Sequence, residues 1–141
     1  MKPHTLLAAA LVFAPLSAWA GSLSVENAAV RAPLGQNTTT AGYLVVKNDS
    51  DQEIDLVSAA SDGAGRVEIH DHIHENGIMK MVAVDRLSIP AQGEVVLKPH
   101  GKHLMIFDLK QPLKDGDTLP VTLTFSDGST LEIKAPVKTR P

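Results

Sequence analysis

The chain predicts an all-β sandwich or barrel, and three observations carry that prediction. Short apolar alternations with a period of two recur along the sequence. Clusters of Gly, Pro, Asn and Asp separate them at intervals of about ten residues. No stretch after residue 20 repeats apolar residues at the 3.6-residue spacing of an amphipathic helix. The predicted strands cover residues 22–30, 40–47, 54–58, 66–74, 78–84, 94–97, 103–109, 118–125 and 130–137. Asn48-Asp49-Ser50-Asp51 and Ser126-Asp127-Gly128-Ser129 read as hairpin turns. Asn76-Gly77 is the favoured pair for a two-residue type I′ turn, so the flanking runs read as a tight hairpin.

Composition narrows the function. The chain has 141 residues, a net charge of −3, 43% hydrophobic residues and no cysteine. That suits one soluble domain. The missing cysteine excludes a disulfide framework, a thiol nucleophile and thiolate-ligated zinc or blue copper. The mild acidity argues against a nucleic-acid partner and against a polybasic membrane binder. No HExxH, GxSxG or Walker-type sequence is present, and the reading is of a protein that is not an enzyme.

Residues 1–20 read as a secretory leader. Lys2 is followed by the apolar run from Leu6 to Leu16, and Ala18-Trp19-Ala20 is a small-x-small cleavage signal. Cleavage after Ala20 leaves a domain of residues 21–141, long enough for one core, exported and without a membrane anchor.

The chemistry-bearing residues gather in two patches. One runs from His70 through His72, His74, Met79 and Met81; the other holds His100, His103 and Met105. Strand alternation puts His70, His72 and His74 on one face and Val67, Ile69 and Ile73 on the other. It likewise joins Met79 to Met81 and His103 to Met105. With a type I′ turn at Asn76-Gly77, Glu75 faces Ile78, His74 faces Met79, His72 faces Met81, and His70 lies diagonal to Met81. Thioethers are soft neutral donors that suit copper(I) and have little use for magnesium or calcium; imidazole also suits copper. They avoid the disulfide chemistry that threatens thiolates in an oxidising compartment.

The spacing of these residues resembles the PCuAC family of periplasmic copper chaperones. Its motif is a histidine, ten residues, a methionine, twenty-one residues and His-x-Met, which His70, Met81, His103 and Met105 match without adjustment. Ala41-Gly42-Tyr43-Leu44, Val67-Glu68-Ile69-His70 and Gln111-Pro112-Leu113-Lys114-Asp115-Gly116-Asp117 add context. The resemblance implies a cupredoxin-like Greek-key β-sandwich that binds copper(I) through those four residues. It also implies delivery of copper toward the CuA centre of cytochrome c oxidase subunit II, alongside Sco-type proteins. His72 stands where many members have methionine, and with Met79 it is a candidate auxiliary ligand; His72, with His74, is expected to let the site tolerate copper(II) or zinc better. Handover further requires that at least two of the four ligands keep some solvent exposure. His100 reads as an exposed loop residue. The tail from Val137 to Pro141 lacks the His/Met-rich extension of some members.

Two other readings use the same region. A passive periplasmic copper or zinc buffer needs the same ligands. A cupin-like metalloenzyme would use His70, His72, Glu75 and His103 for iron or manganese. Its motif gaps are each off by one, however, which reverses a side chain's face, and it leaves Met81 and Met105 without a role.

Overall fold

The computed structural model describes residues 19–141. The strands are β1 (Trp19–Ala20), β2 (Leu23–Arg31), β3 (Thr40–Asn48), β4 (Ile54–Ala60), β5 (Ala64–Glu75) and β6 (Ile78–Ala83). They continue with β7 (Leu87–Ile89), β8 (Gly93–Leu97), β9 (His103–Leu109), β10 (Thr118–Phe125) and β11 (Thr130–Lys138). Of the predicted leader, all but its last two residues lie outside the described residues; Trp19 and Ala20 pair with Ser24 and Leu23.

One layer runs β6-β5-β9-β3-β2 and the other β11-β10-β4-β7. Two parallel residue pairs, Val30 with Val137 and Arg31 with Lys138, join them at one edge. Apolar residues from both layers meet in one core, among them Leu44, Val46, Leu104 and Ile106 from the first and Leu56, Val121, Leu123 and Phe125 from the second. β3 shows how alternation builds it: every second residue from Thr40 to Asn48 is buried and those between are half-buried. Gly42 is one of the buried positions, and a Cβ there would meet Ile106 Cδ1 at 3.4 Å.

Asn48 corrects one expectation. It does not open a hairpin, because β3 and β4 belong to different layers. The fully buried carboxamide instead ties the crossover together. Its Nδ2 donates to the carbonyls of Gln52, Ile89 and Pro90, and its Oδ1 accepts from the Ser50 amide and hydroxyl. Each such bond contributes about 1 kcal/mol once made, and leaving a buried partner unpaired costs more. The Ser126–Ser129 turn is a hairpin turn as expected, with Phe125 N–H donating to Ser129 O and Gly128 at φ 85°.

β8 and β9 lie end to end along β3, with Leu97 opposite Leu44 and Leu104 opposite Gly42. Residues 98–102 between them leave the sheet as a small loop. Lys98 N–H donates to Lys102 O at 2.8 Å and closes its neck. Inside it, Gly101 N–H donates to Lys98 O at 3.0 Å, Pro99 precedes His100, and His100 has φ 68°. That is the pattern of a type II turn, whose third position favours glycine.

Candidate metal centre

Strand register assembles the site. β5 pairs with β9 so that His70 lies opposite His103 and Glu68 opposite Met105. β5 pairs with β6 so that His72 lies opposite Met81, His74 opposite Met79 and Glu75 opposite Ile78. The hairpin register is therefore the one that the Asn76-Gly77 turn predicts. Both turn residues have positive φ, 52° and 77°, as type I′ requires. Cross-strand partners share a face, so all these His and Met side chains lie on the outer face of the first layer.

The hydrogen-bond phase of the hairpin places them close. Val84 N–H donates to Ile69 O at 2.9 Å, and the two-residue turn makes Glu75–Ile78 a hydrogen-bonded pair. Alternation then puts His74–Met79 and His72–Met81 at the non-hydrogen-bonded positions. There Cα atoms stand about 4.5 Å apart instead of about 5.5 Å, and side chains approach most closely.

Three imidazoles pack together. The His70 and His103 ring centroids are 5.7 Å apart and those of His72 and His103 are 5.3 Å apart. With metal–nitrogen bonds of about 2.0–2.1 Å, two rings on one ion have centroids roughly 5–6 Å apart, so this packing fits shared ligation. The outer loop sets the tautomers. The Gly101 carbonyl lies 2.9 Å from His103 Nδ1 and 3.1 Å from His72 Nδ1. A carbonyl oxygen only accepts, so both rings donate from Nδ1 and their neutral forms keep a lone pair on Nε2.

His70 is held the other way round. Its Nε2 lies 2.9 Å from Glu68 Oε2, and Arg66 Nε braces the same carboxylate at 3.2 Å from Oε1. The Arg66 guanidinium sits 4.3 Å from the centre of the Phe107 ring. His70 Nδ1 is buried with no hydrogen-bond partner. An unsatisfied buried nitrogen costs about 1–3 kcal/mol, a cost that a coordinated cation removes. The residues present thus fit a soft metal ion.

The two buried imidazoles differ from the sequence expectation of a merely polar face. His70 is 8% exposed and His103 5%, covered by each other, by Phe107 and by the 98–102 loop. Burial pushes the His103 pKa below its ordinary 6.5, the nearby His70 and His72 push the same way, and the Gly101 and Asp71 oxygens oppose them. The His70 hydrogen bond holds the Glu68 carboxyl below its ordinary value, helped by Arg66. Met81 is 47% exposed and Met79 52%, while Met105 is half-buried. Two of the four motif side chains therefore meet solvent and two do not.

Other expectations sort clearly. His100 is exposed on the turn, as expected. Ile73 does not reach the core: it is 39% exposed, because the hairpin runs past the second layer. Glu75 pairs with Ile78 on the face opposite His70 and His72, which removes the cupin-like ligand set. Among the described residues, no three His, Asp or Glu side chains are grouped to hold a metal ion. The thioethers of Met81 and Met105 lie on the same face as the imidazoles. Glu68, two residues before His70 on the same face, is the participant that a search confined to His and Met overlooks; the i, i+2 spacing on a strand is the signal that finds it.

The sequence model of the family described as "Putative lipoprotein LpqE-like" matches residues 23–137. A "Putative lipoprotein" of Leifsonia xyli subsp. xyli is 39% identical over 100 residues, spanning 70% of this chain and 60% of that protein. The solution structure of apo-DR1885 from Deinococcus radiodurans is 37% identical with a TM-score of 0.67, covering 99% of this chain and 93% of that one. The chain belongs to the LpqE-like, PCuAC-type family. The copper(I) form of DR1885 is 40% identical over 79% of this chain and 75% of that one, with a TM-score of 0.66. The copper-bound PCuAC domain of PmoF2 is 25% identical with a TM-score of 0.72, covering 88% of this chain and 98% of that one. The PCuAC-type fold is all-β and cupredoxin-like, as expected.

Proposed function

We propose that this PCuAC-type protein is an exported copper(I) chaperone whose ligands are His70, Met81, His103 and Met105. The observation that carries the reading is the register: it sets His70 opposite His103, with Met105 on the same face of β9 and Met81 diagonal across the hairpin. Two imidazole nitrogens and two thioethers are neutral, so a bound monovalent ion leaves one positive charge. Glu68, on the same face, offsets it. Copper is cargo, and the geometry suits capture and release. The buried imidazoles are preorganised by the Gly101 carbonyl and by Glu68. Exposed Met81 lets an acceptor's ligand approach while the protein's own ligands leave one at a time. The acceptor is the CuA centre of cytochrome c oxidase subunit II, with Sco-type proteins acting alongside, in the periplasm.

Anaerobic copper(I) titration with X-ray absorption tests the site: sulfur and nitrogen scatterers in similar number are expected, and an all-nitrogen shell refutes it. His103→Ala is expected to lose tight binding. A passive buffer would use the same ligands. Transfer to an apo subunit II fragment separates the two: a chaperone hands copper over faster than free dissociation permits, and a buffer does not.

A further inference from the structure

We propose that His74 and Met79 form a second soft-cation site at the tip of the β5–β6 hairpin. Copper(I) would dock there and pass inward over the His72–Met81 rung to His70 and His103. The inference deepens the copper reading and rests on it.

The hairpin is a ladder of donor pairs. His74–Met79 and His72–Met81 occupy successive non-hydrogen-bonded positions, on the same face as His70 and His103. Two residues of strand advance about 6.8 Å, so one rung lies a short step from the next. Each rung offers one imidazole and one thioether, and a closed-shell monovalent ion of the copper group is held by as few as two soft donors.

Exposure is the second observation. β6 is the edge strand of its layer, and its thioethers are about half exposed. An apolar edge is an aggregation hazard that proteins usually blunt with charge, and a methionine gains free energy by burial. Lys80 supplies that charge on the opposite face, 3.7 Å from Glu75. The His/Met face carries no charged side chain between His70 and Ala83 along the two strands. A cation approaching the tip therefore meets lone pairs and no lysine on that face.

Silver(I), a closed-shell soft analogue without redox chemistry, is the probe. The protein carries 13C-methyl methionine and 15N histidine, and silver(I) nitrate is added stepwise under NMR observation. The Met81 and Met105 methyl signals are expected to shift first. Met79 and the His74 ring then shift in a separate, weaker step. His74→Ala combined with Met79→Leu, both exposed positions, is expected to lose the second step, while the Met81 and Met105 shifts of the first are still seen. If Met79 stays still in excess silver while Met81 and Met105 respond, the outer site is overturned and the primary site stands. The outer site is also overturned if Met79 shifts in the same step as Met81. If none of the three responds, the primary reading fails as well.

Discussion

In β3 every second residue from Thr40 to Asn48 is buried, and in β11 the same alternation buries Leu131, Ile133, Ala135 and Val137. In β6, by contrast, Ile78, Met79, Lys80 and Met81 are all exposed, whichever face they take. The local code is the same and the surroundings differ. β3 and β11 have the opposite layer over their inner faces, whereas the β5–β6 hairpin runs beyond it. Alternation decides only which side chains share a face; coverage decides which face is the core. The outer face of β5 is instead covered in part from an unexpected direction, by the 98–102 loop whose Gly101 carbonyl holds two imidazoles.

The largest break in that contrast is a pair of truncations. Phe125→Ala, at a fully buried core position, is expected to destabilise the fold by about 3–5 kcal/mol in urea denaturation. Met81→Ala, half exposed, is expected to stay within about 0.5 kcal/mol of the parent while losing copper(I) affinity. A Met81→Ala protein that unfolds would return this thioether to the role of core filler.

Glu68 sharpens the comparison within the site. The carboxylate fixes His70 with its proton on Nε2 and its lone pair on Nδ1, the reverse of His103. Glu68→Leu is expected to release that tautomer, seen directly in long-range 1H–15N spectra, and to weaken copper(I) binding by roughly 10–100-fold. Glu68→Gln, which keeps an acceptor oxygen, is expected to recover part of the loss. An unchanged His70 tautomer in Glu68→Leu would leave the carboxylate as a surface charge only.

Much of this architecture was legible in advance, and the failures have definite causes. The strand pattern, the Asn76-Gly77 turn and the rungs His72–Met81 and His74–Met79 follow from period two and turn chemistry, which are local. β7 escaped because three residues are too few to show alternation. Asn48 read as a hairpin residue because its composition is turn-like, whereas its partners, Ile89 and Pro90, are more than forty positions away. Ile73 read as core and His70 as surface for one reason: neither the end of the opposite layer nor the arch of the 98–102 loop is encoded near them. The metal role of the four motif residues rests on chemistry and spacing, and the tests above address it.

A smaller effect follows from protonation. His103 titrates below its ordinary 6.5 in the folded chain, chiefly because it is buried, so the unfolded chain binds this proton more readily. Its contribution to stability is complete above about 6.5 and drains away as pH falls through the lower folded value. Glu68, also lowered, adds a loss of the same sign at more acid pH, below its ordinary 4.5. Melting temperature of the apo protein is expected to fall from pH 7 toward 5, and His103→Asn to flatten that stretch of the curve. A parallel fall in both proteins would remove His103 as the cause.

The smallest expected effect concerns the loop that covers the imidazoles. His100 holds φ 68° at the third position of a type II turn, where a side chain is strained and glycine is at ease. Strain at such a position costs on the order of 1 kcal/mol, while glycine's extra freedom in the unfolded chain offsets about 0.5–1 kcal/mol of any gain. His100→Gly is therefore expected to raise the melting temperature slightly or leave it unchanged, and to leave copper(I) stoichiometry intact, because the ring is exposed on the turn. The turn needs His100 only as backbone: what reaches the site is the next residue's carbonyl. A loss of copper in His100→Gly, with the His72 and His103 tautomers unchanged, would instead make this ring a ligand and the loop a moving part of the metal centre.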